Sequence, residues 1–368
     1  MEKEVTFALL GAGGYGANYI SALQKPERPQ VRLAAVADPV VRFCPLCPVF
    51  ENAEELFHHV HPDAVIIASP IPFHAEQAIQ ACSQGCHVIL EKPLAGTPED
   101  GERILEARDR AGKELSVDFQ WCYAASMRRL KAEIDSGRLG RPVSMKAIVL
   151  FPRNRQYFQK SWAGKKKDAQ GRAIYDSVLN NAAAHYLLNM LFLTGEPLTQ
   201  IEGATFRANE IETYDTVVLK GKSGETDVFL AASHAAGADF AQSPMFEYRF
   251  ENAIVRFGAR GQAGKVVTAA FSNGETEDYG PLPGGFMENL WNMTDVIRGK
   301  GEVYCTGETA MLHAKAVADL RKVNPDPWIF DRNELREENG MIMVPGLADR
   351  LWRYYDTMSV PEQGKTRS

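Results

Sequence analysis

The sequence has few cysteines, and they follow no zinc pattern. Six cysteines occur among 368 residues, and the stretch from Cys44 to Cys47 has no second pair of cysteines or histidines at zinc spacing. We therefore expect reduced, structural thiols and no metal site, as is usual in a reducing compartment.

The sequence also lacks a long apolar run and a large excess of one charge. No stretch is long enough to cross a bilayer, and the initial MEKEVTF has no hydrophobic region of the signal-peptide kind. The net charge of −6 argues against nucleic acid or an anionic membrane as partner. These absences predict a cytoplasmic protein.

The first apolar run leads directly into a glycine-rich turn. Val5 to Leu10 suits a strand buried on both faces, and Gly11, Gly13 and Gly16 follow at the spacing G-x-G-x-x-G. In a dinucleotide site such glycines permit a tight turn, close approach of a pyrophosphate and packing of the next helix. An ordinary strand–turn–helix is the alternative. The residues between the glycines belong to the same candidate cofactor loop: Ala12, Gly14 and Tyr15.

An acidic residue closes the second apolar run, Val31 to Ala37. Asp38 lies about 20 residues past the glycines, where a carboxylate can accept hydrogen bonds from the ribose of NAD. The same charge repels a 2′-phosphate, so we predict NAD rather than NADP, a preference that the nearby Arg42 weakens. The alternative for Asp38 is a turn residue before Pro39.

A third run, Asp63 to Ser69, ends in a stiff loop that contains two prolines. Ligands of open α/β sheets bind at the carboxyl ends of the strands. Ser69, Pro70 and His74 are therefore candidates for cofactor contacts. For His74 the alternative is a place in the first turn of the following helix.

The order of these segments predicts two domains. Strand-like and helical runs alternate up to about residue 124, which predicts a doubly wound parallel sheet. From Val143, strand-like runs follow one another with little helix between them, which predicts an α/β domain with a large, mostly antiparallel open sheet. We expect a dinucleotide-binding domain at 1–124, a substrate and oligomerisation domain at 125–358 whose last helices can pack back on the first domain, and a flexible tail at 359–368.

Glu91-Lys92-Pro93 follows a fourth strand-like run, His87 to Leu90. With the N-terminal GAGGYG and the later His185, it resembles the Gfo/Idh/MocA family, the glucose–fructose oxidoreductase and inositol dehydrogenase group of nicotinamide-dependent enzymes. The resemblance implies a Rossmann domain that binds NAD through the glycine loop and Glu91-Lys92. It also implies a second domain whose open sheet mediates homodimers or homotetramers, and a sugar, cyclitol or related polyhydroxylated substrate.

Oxidation of an alcohol by NAD needs a base for the hydroxyl proton and a cation near the developing alkoxide. Lys92 is predicted at the edge of the sheet beside the cofactor, where it can hydrogen-bond the substrate hydroxyl. His185 matches the family's histidine and can accept a proton near neutral pH. The alternatives are a surface lysine before a proline turn and a packed helical histidine.

One position departs from the family pattern. Many members have an aspartate one helical turn before the histidine, whereas this chain has Asn181. A helix from Asn181 to Leu193 would place Asn181 and His185 on one face, with Asn181 in contact with substrate. Asp176 is a candidate to replace the missing charge. Tyr157 and Trp162, in the long connection before this helix, are further substrate-binding candidates.

The leading prediction is an NAD-dependent oxidoreductase that acts on the hydroxyl of a sugar or polyol, with Lys92 and His185 as catalytic residues. One alternative is a glycosidase-like or epimerase-like enzyme that oxidises its substrate transiently and returns the hydride. Another is a non-catalytic dinucleotide-binding regulator, which the replacement at Asn181 makes conceivable.

Overall fold

The computed structural model describes residues 2–237, 244–282 and 285–361. It divides the chain into two compact units, each built from two segments. Unit 1 comprises residues 1–123 and 284–314, and unit 2 comprises residues 124–283 and 315–368. The predicted domains were continuous segments, and their boundaries stay a prediction. Residues 362–368 of the predicted tail lie outside the described part of the chain.

Unit 1 contains a six-stranded parallel sheet. Its strands are β1 (Val5–Leu10), β2 (Val31–Ala37), β3 (Val49–Phe50), β4 (Ala64–Ile67), β5 (His87–Leu90) and β6 (Leu115–Val117). Their spatial order is β3-β2-β1-β4-β5-β6, so the chain changes direction of sheet growth between β1 and β4. A crevice for a ligand forms at the carboxyl ends of strands at such a point. The predicted doubly wound parallel sheet is confirmed.

Helices connect these strands. Those before residue 124 are α1 (Gly16–Gln24), α2 (Ala53–His59), α3 (His74–Ser83), α4 (Pro98–Ala111) and α5 (Gln120–Tyr123). Local chemistry determines the ends of α4: the Thr97 hydroxyl accepts a hydrogen bond from the backbone N–H of Asp100, and Pro98 occupies the first turn. Gly112 ends the helix at a φ of +59°.

Unit 2 contains a nine-stranded sheet of order β14-β13-β12-β11-β7-β10-β9-β8-β15. Its strands are β7 (Pro142–Leu150), β8 (Leu198–Arg207), β9 (Thr216–Ser223), β10 (Thr226–Ser233), β11 (Met245–Phe250), β12 (Ala253–Ala259), β13 (Gln262–Phe271), β14 (Thr276–Pro281) and β15 (Trp328–Ile329). The pairs β7–β10 and β8–β15 are parallel, and the others are antiparallel. The predicted mostly antiparallel open sheet is confirmed.

The remaining elements complete the two units. They are α6 (Ala125–Asp135), α7 (Arg155–Phe158), α8 (Ala184–Thr194), α9 (Glu288–Ile297), α10 (Gly307–Val323), β16 (Arg336–Glu338), β17 (Met341–Met343) and α11 (Leu347–Thr357). Helix α9 belongs to unit 1, and α10 crosses the division after Ala314. Across the described ranges, no helix is both long and apolar enough to cross a membrane.

The predicted start of α8 is wrong. The helix begins at Ala184, and Asn181 lies in the turn before it. Asn181 and His185 therefore do not share a helix face, contrary to the expectation. The local reason is that Asn180 Nδ2 donates to the carbonyl oxygen of Tyr175 at 2.8 Å, which holds this segment in a turn.

Candidate functional site

Two glycines of the candidate cofactor loop are required by the packing of unit 1 itself. Gly11 follows β1 with a φ of +88°, and a Cβ at this position would lie 2.7 Å from the backbone nitrogen of Ser69. A Cβ at Gly16 would lie 1.9 Å from the carbonyl oxygen of Gly11. Any side chain at either position would force β1, α1 and the loop after β4 apart.

The middle of the loop faces open space instead. A Cβ at Gly13 would meet no described atom within 4 Å, and the same holds for Gly14, whose φ is +55°. No side chain caps the start of α1, although the backbone N–H groups of Gly16 and Asn18 donate to the carbonyl oxygens of Gly13 and Tyr15. Open glycines in front of an uncapped helix fit the pyrophosphate of a dinucleotide.

Asp38 holds the glycine loop in place. Its Oδ2 accepts a hydrogen bond from the backbone N–H of Ala12 at 2.8 Å, and its Oδ1 accepts from Val40 and Val41, each at 2.8 Å. Although burial alone would raise the pKa of Asp38, these backbone hydrogen bonds hold it below its usual value. The carboxylate is therefore charged and joins the end of β2 to the loop after β1.

His74 holds two neighbouring loops together. It begins α3, is 1% exposed, and its ring nitrogens lie 3.0 Å from the carbonyl oxygens of Pro93 and Ser69. Burial lowers the pKa of His74. The Ser69 hydroxyl donates to Gln77 Oε1 at 2.5 Å. The imidazole of His74 is thus occupied by backbone contacts, and its predicted cofactor contact stays a prediction.

Glu91 and Lys92 follow β5 at the carboxyl edge of the parallel sheet, and the Lys92–Pro93 peptide bond is cis. Glu91 Oε1 accepts a hydrogen bond at 2.9 Å from the hydroxyl of Tyr19, a fully buried residue of α1. Asn289 of α9 donates in turn to the Tyr19 hydroxyl at 2.6 Å. These contacts fix the direction of the backbone that carries Lys92.

Glu91 forms a buried carboxyl pair with Asp118, which follows β6 and is 3% exposed. Burial and the charge of Asp118 raise the pKa of Glu91 well above its usual value. Burial raises the pKa of Asp118 to about 6, against the lowering effects of the hydrogen bond from Glu91 and the charge of Lys92. Glu91 therefore holds a proton and donates it to Asp118, whose negative charge faces Lys92.

Other titratable groups surround this pair within unit 1. They are the phenols of Tyr15, Tyr19 and Tyr123 and the thiol of Cys305. Burial raises the pKa of each. All four groups are therefore neutral near pH 7, and Lys92 is the cation that faces the pair.

Two substrate-binding candidates of unit 2, Trp162 and Asn181, contact a third, Tyr157. Asn181 Nδ2 donates to the Tyr157 hydroxyl and lies 3.3 Å from Asp176 Oδ1. Asp176 is 3% exposed, and its Oδ2 accepts from the backbone N–H of Gly164 at 2.7 Å. The ring of Trp162 packs edge-on against Tyr157, with centroids 5.7 Å apart. Asp176 thus supplies a carboxylate beside Asn181.

His185 is the second residue of α8 and is partly buried. The residues on either side of it, Ala184 and Tyr186, are buried. A buried helix therefore holds the backbone of His185, whose side chain is partly exposed while its Nδ1 is buried. This combination suits a residue that exchanges protons with a ligand.

Each unit also places beside its candidate residues side chains that the sequence did not indicate. In unit 1 these are Asp118, Tyr19 and Asn289, and in unit 2 Arg153, whose guanidinium stacks on Tyr157. Asp118 had a signal, because it directly follows the apolar run Leu115 to Val117. The contact between Tyr19 and Asn289 joins residues 270 positions apart and left no local pattern. No group of three or more histidine, cysteine or acidic side chains within the described ranges forms a potential metal site.

Two family models match the chain. Residues 5–119 match the oxidoreductase family with an NAD-binding Rossmann fold, and residues 127–263 match the GFO/IDH/MocA C-terminal domain. The chain therefore belongs to the GFO/IDH/MocA family, as its motifs predicted, and is an NAD(P)-dependent oxidoreductase. The match to the NAD-binding Rossmann fold includes the open glycine loop of unit 1, and NAD is the cofactor of this protein.

Similar proteins include sugar and cyclitol enzymes. The 1,5-anhydro-D-fructose reductase of Ensifer adhaerens is 27% identical over 262 residues, which cover 70% of this chain and 76% of that protein. The inositol 2-dehydrogenase of Streptomyces avermitilis is 37% identical over 162 residues, covering 39% of this chain and 44% of that protein. The WlbA dehydrogenase of Bordetella pertussis, crystallised with NADH and UDP-GlcNAcA, superposes with a TM-score of 0.74 at 22% identity over 88% of this chain and 96% of that one. This last likeness concerns the fold.

Proposed function

We propose that the protein transfers a hydride between NAD and a hydroxyl-bearing carbon of a sugar, cyclitol or related polyol. The observation that carries the proposal is the carboxyl edge of the parallel sheet, where the open glycines Gly13 and Gly14 follow β1 and Lys92 follows β5, with β4 between these two strands. Relatives named as an anhydrofructose reductase and an inositol dehydrogenase support the substrate class.

NAD supplies the hydride acceptor or donor when it is bound. Gly13, Gly14 and the start of α1 bind its pyrophosphate, and Asp38 holds the loop and faces the ribose. Ser69, Pro70 and Glu91 belong to the loops at the same edge. The carboxylate of Asp38 disfavours a 2′-phosphate, so NAD binds more tightly than NADP.

Lys92 and His185 handle the proton in this proposal. The Lys92 ammonium donates a hydrogen bond to the reacting hydroxyl and stabilises the negative charge that develops on its oxygen. The negative charge of the Glu91–Asp118 pair holds that ammonium in place. His185 accepts the proton during oxidation and returns it during reduction.

Asn181 and Asp176 act together on the substrate side. Asn181 orients Tyr157 and offers its amide to a substrate hydroxyl, while Asp176 carries the negative charge that many family members place at position 181. Trp162 forms an apolar wall against one face of the ring of a polyol. A homodimer or homotetramer through the nine-stranded sheet is part of the same proposal.

A panel of sugars and cyclitols with NAD, followed by NADH absorbance, tests the proposal. Stoichiometric NADH with at least one compound, and weaker activity with NADP, is the expected result. Turnover of a glycoside or an epimer without net NADH would favour transient oxidation instead. Calorimetric NAD binding without turnover of any compound would favour a regulator.

A further inference from the structure

We infer that Arg153 and Lys160 form an anion subsite next to the substrate residues of unit 2, so that the natural substrate is a polyol that carries a carboxylate or phosphate group. The inference rests on the proposed function and narrows its substrate class.

Two cations lie against one aromatic ring in the connection between β7 and α8. The guanidinium carbon of Arg153 lies 4.6 Å from the ring centroid of Tyr157 and 4.4 Å from that of Phe151. Lys160 Nζ lies 5.1 Å from the Tyr157 ring and 5.4 Å from the ring of Trp162. The aromatic rings hold both cations near one place without neutralising them.

Neither cation has an acidic partner among the residues that the structure describes, and the Nε of Arg153 is buried there without a hydrogen-bond acceptor. Other cations of the same connection do have ion-pair partners. Those pairs are Arg155 with Glu337 at 3.1 Å, Lys165 with Glu212 at 3.1 Å and Arg172 with Asp168 at 2.7 Å. Lys166 and Lys167 of the same connection have no ion pair among the described residues either, so the feature that distinguishes Arg153 there is its buried Nε without a hydrogen-bond acceptor.

Of the neighbouring groups, the Asp176 carboxylate attracts Arg153, which raises the pKa of Arg153 against the larger effect of burial. The oxygens of Asp176 already accept hydrogen bonds from Gly164 and Asn181. His234 packs 6.1 Å from the Tyr157 ring, and burial with the nearby charge of Arg153 lowers its pKa to about 4. His234 is therefore neutral at pH 7. Burial also lowers the pKa of Arg153, which reflects the cost of a half-buried charge.

The subsite adjoins the proposed substrate residues through a single side chain. Tyr157 stacks on Arg153 with its ring and accepts a hydrogen bond from Asn181 with its hydroxyl. Asn181 lies four residues before His185 in the chain. Asn181 and Arg153 thus contact the same tyrosine side chain. A ligand that binds the Asn181 amide is therefore about one tyrosine side chain away from Arg153.

The pair of cations fits an oxyanion better than another hydroxyl. A guanidinium forms two parallel hydrogen bonds with a carboxylate or phosphate, and a lysine adds a point charge. A neutral polyol would leave both charges without a partner. The chemistry common to the two possible ligands is a planar or tetrahedral oxyanion on a polyhydroxylated carbon chain.

The test compares matched ligands on the full chain with saturating NAD: glucose, glucuronate and glucose 6-phosphate, with the galactose series beside them. We expect an anionic member to exceed its neutral parent at least tenfold in kcat/KM, and the preferred member to identify carboxylate or phosphate. Arg153→Met and Lys160→Met should each raise KM for that member at least fivefold, with kcat little changed. The charge-retaining Arg153→Lys should restore part of the loss.

Arg155→Met is the matched control, because it removes a neighbouring arginine that Glu337 already neutralises. It should leave KM unchanged. Equal activity on neutral and anionic members, or an equal loss on both in Arg153→Met and Lys160→Met, would overturn the inference while the proposed function stands. If no compound is oxidised, the proposed function fails, and calorimetry with glucuronate and glucose 6-phosphate decides the subsite. Binding that both variants abolish supports it, and absence of binding contradicts it.

Discussion

The carboxyl groups of Glu91 and Asp118 hydrogen-bond to each other at the carboxyl edge of the parallel sheet, beside Lys92. Two buried carboxylates that hydrogen-bond to each other cannot both be charged, because their charges would repel. One proton therefore stays on the pair. The pair carries a single negative charge next to the lysine that the proposed reaction uses. This relationship has a measurable consequence for stability.

The pair should make the protein less stable as the pH rises. Burial raises the pKa of Asp118 from 3.8 to about 6, so between these values the folded state binds more protons than the unfolded state. The free energy of unfolding then falls with rising pH, by at most about 1.4 kcal/mol per pH unit for each such proton. Asp118→Asn should flatten this slope in urea denaturation between pH 4.5 and 7.5. The exposed Asp319→Asn is the control, and equal slopes in wild type and Asp118→Asn would contradict the prediction.

The glycines of the loop should have two different roles: Gly16 should be needed for stability and Gly13 for NAD binding. Gly16→Ala places a Cβ 1.9 Å from the Gly11 oxygen and should lower the free energy of unfolding by about 2 kcal/mol or more. Gly13→Ala meets no described atom within 4 Å, so Tm should change little while Kd for NAD rises about tenfold. Thermal melting without ligand and calorimetric titration with NAD measure the two effects. If the Gly13→Ala variant is folded and its NAD affinity is unchanged, the pyrophosphate does not bind beside Gly13.

Asp38 should stabilise the protein even without cofactor. Asp38→Ala removes the acceptor of the Ala12, Val40 and Val41 N–H groups and should cost about 1–3 kcal/mol in the unliganded protein. The low pKa of Asp38 means that its contribution is present above pH 4 and is lost as the pH falls through the folded pKa. Urea denaturation of the unliganded variant at pH 7 is the measurement. If the variant loses NAD affinity but no stability, Asp38 serves the ribose alone.

Much of the structure of unit 1 could be predicted from the sequence, because its strands and its glycine-rich turn depend on local sequence patterns. The apolar runs and the glycine-rich turn each depend on residues close in the chain, and both have the predicted structure. The residues that surround Lys92 could not be predicted, because segments far apart in the chain bring them together. Tyr19, for example, meets Glu91 after 72 residues and Asn289 after 270.

Unit 2 was readable only in outline. Strand β10 belongs to the strand-like runs predicted after Val143, and it was predictable because it is an almost continuously buried run. Strands β13 and β14 went unpredicted, since many of their residues are exposed and no apolar pattern marks them. The turn at Asn181 was predicted as helix because Asn181 to Leu193 has helical composition, and the hydrogen bond of Asn180 outweighs that preference locally.

Restoring the family's usual residue at position 181 should weaken the protein. Asn181→Asp places a second carboxylate near Asp176 Oδ1, which now lies 3.3 Å from an amide donor. Repulsion in this partly buried place should cost about 1 kcal/mol or more at pH 8 and reduce turnover. Asn181→Ala is the control that removes the amide without adding charge. Higher activity with unchanged Tm in Asn181→Asp would show that Asp176 does not replace the missing carboxylate.

The central claim is that Lys92 acts on the substrate hydroxyl during hydride transfer. The most direct measurement is the rate of NADH formation by Lys92→Ala with the best substrate of the panel, at saturating NAD. Lys25→Ala, which removes an exposed lysine at the end of α1, is the matched control. We predict a loss of about 100-fold or more in kcat for Lys92→Ala at saturating NAD, with Tm retained, and no loss for Lys25→Ala. NADH formation by Lys92→Ala at the wild-type rate would contradict the account.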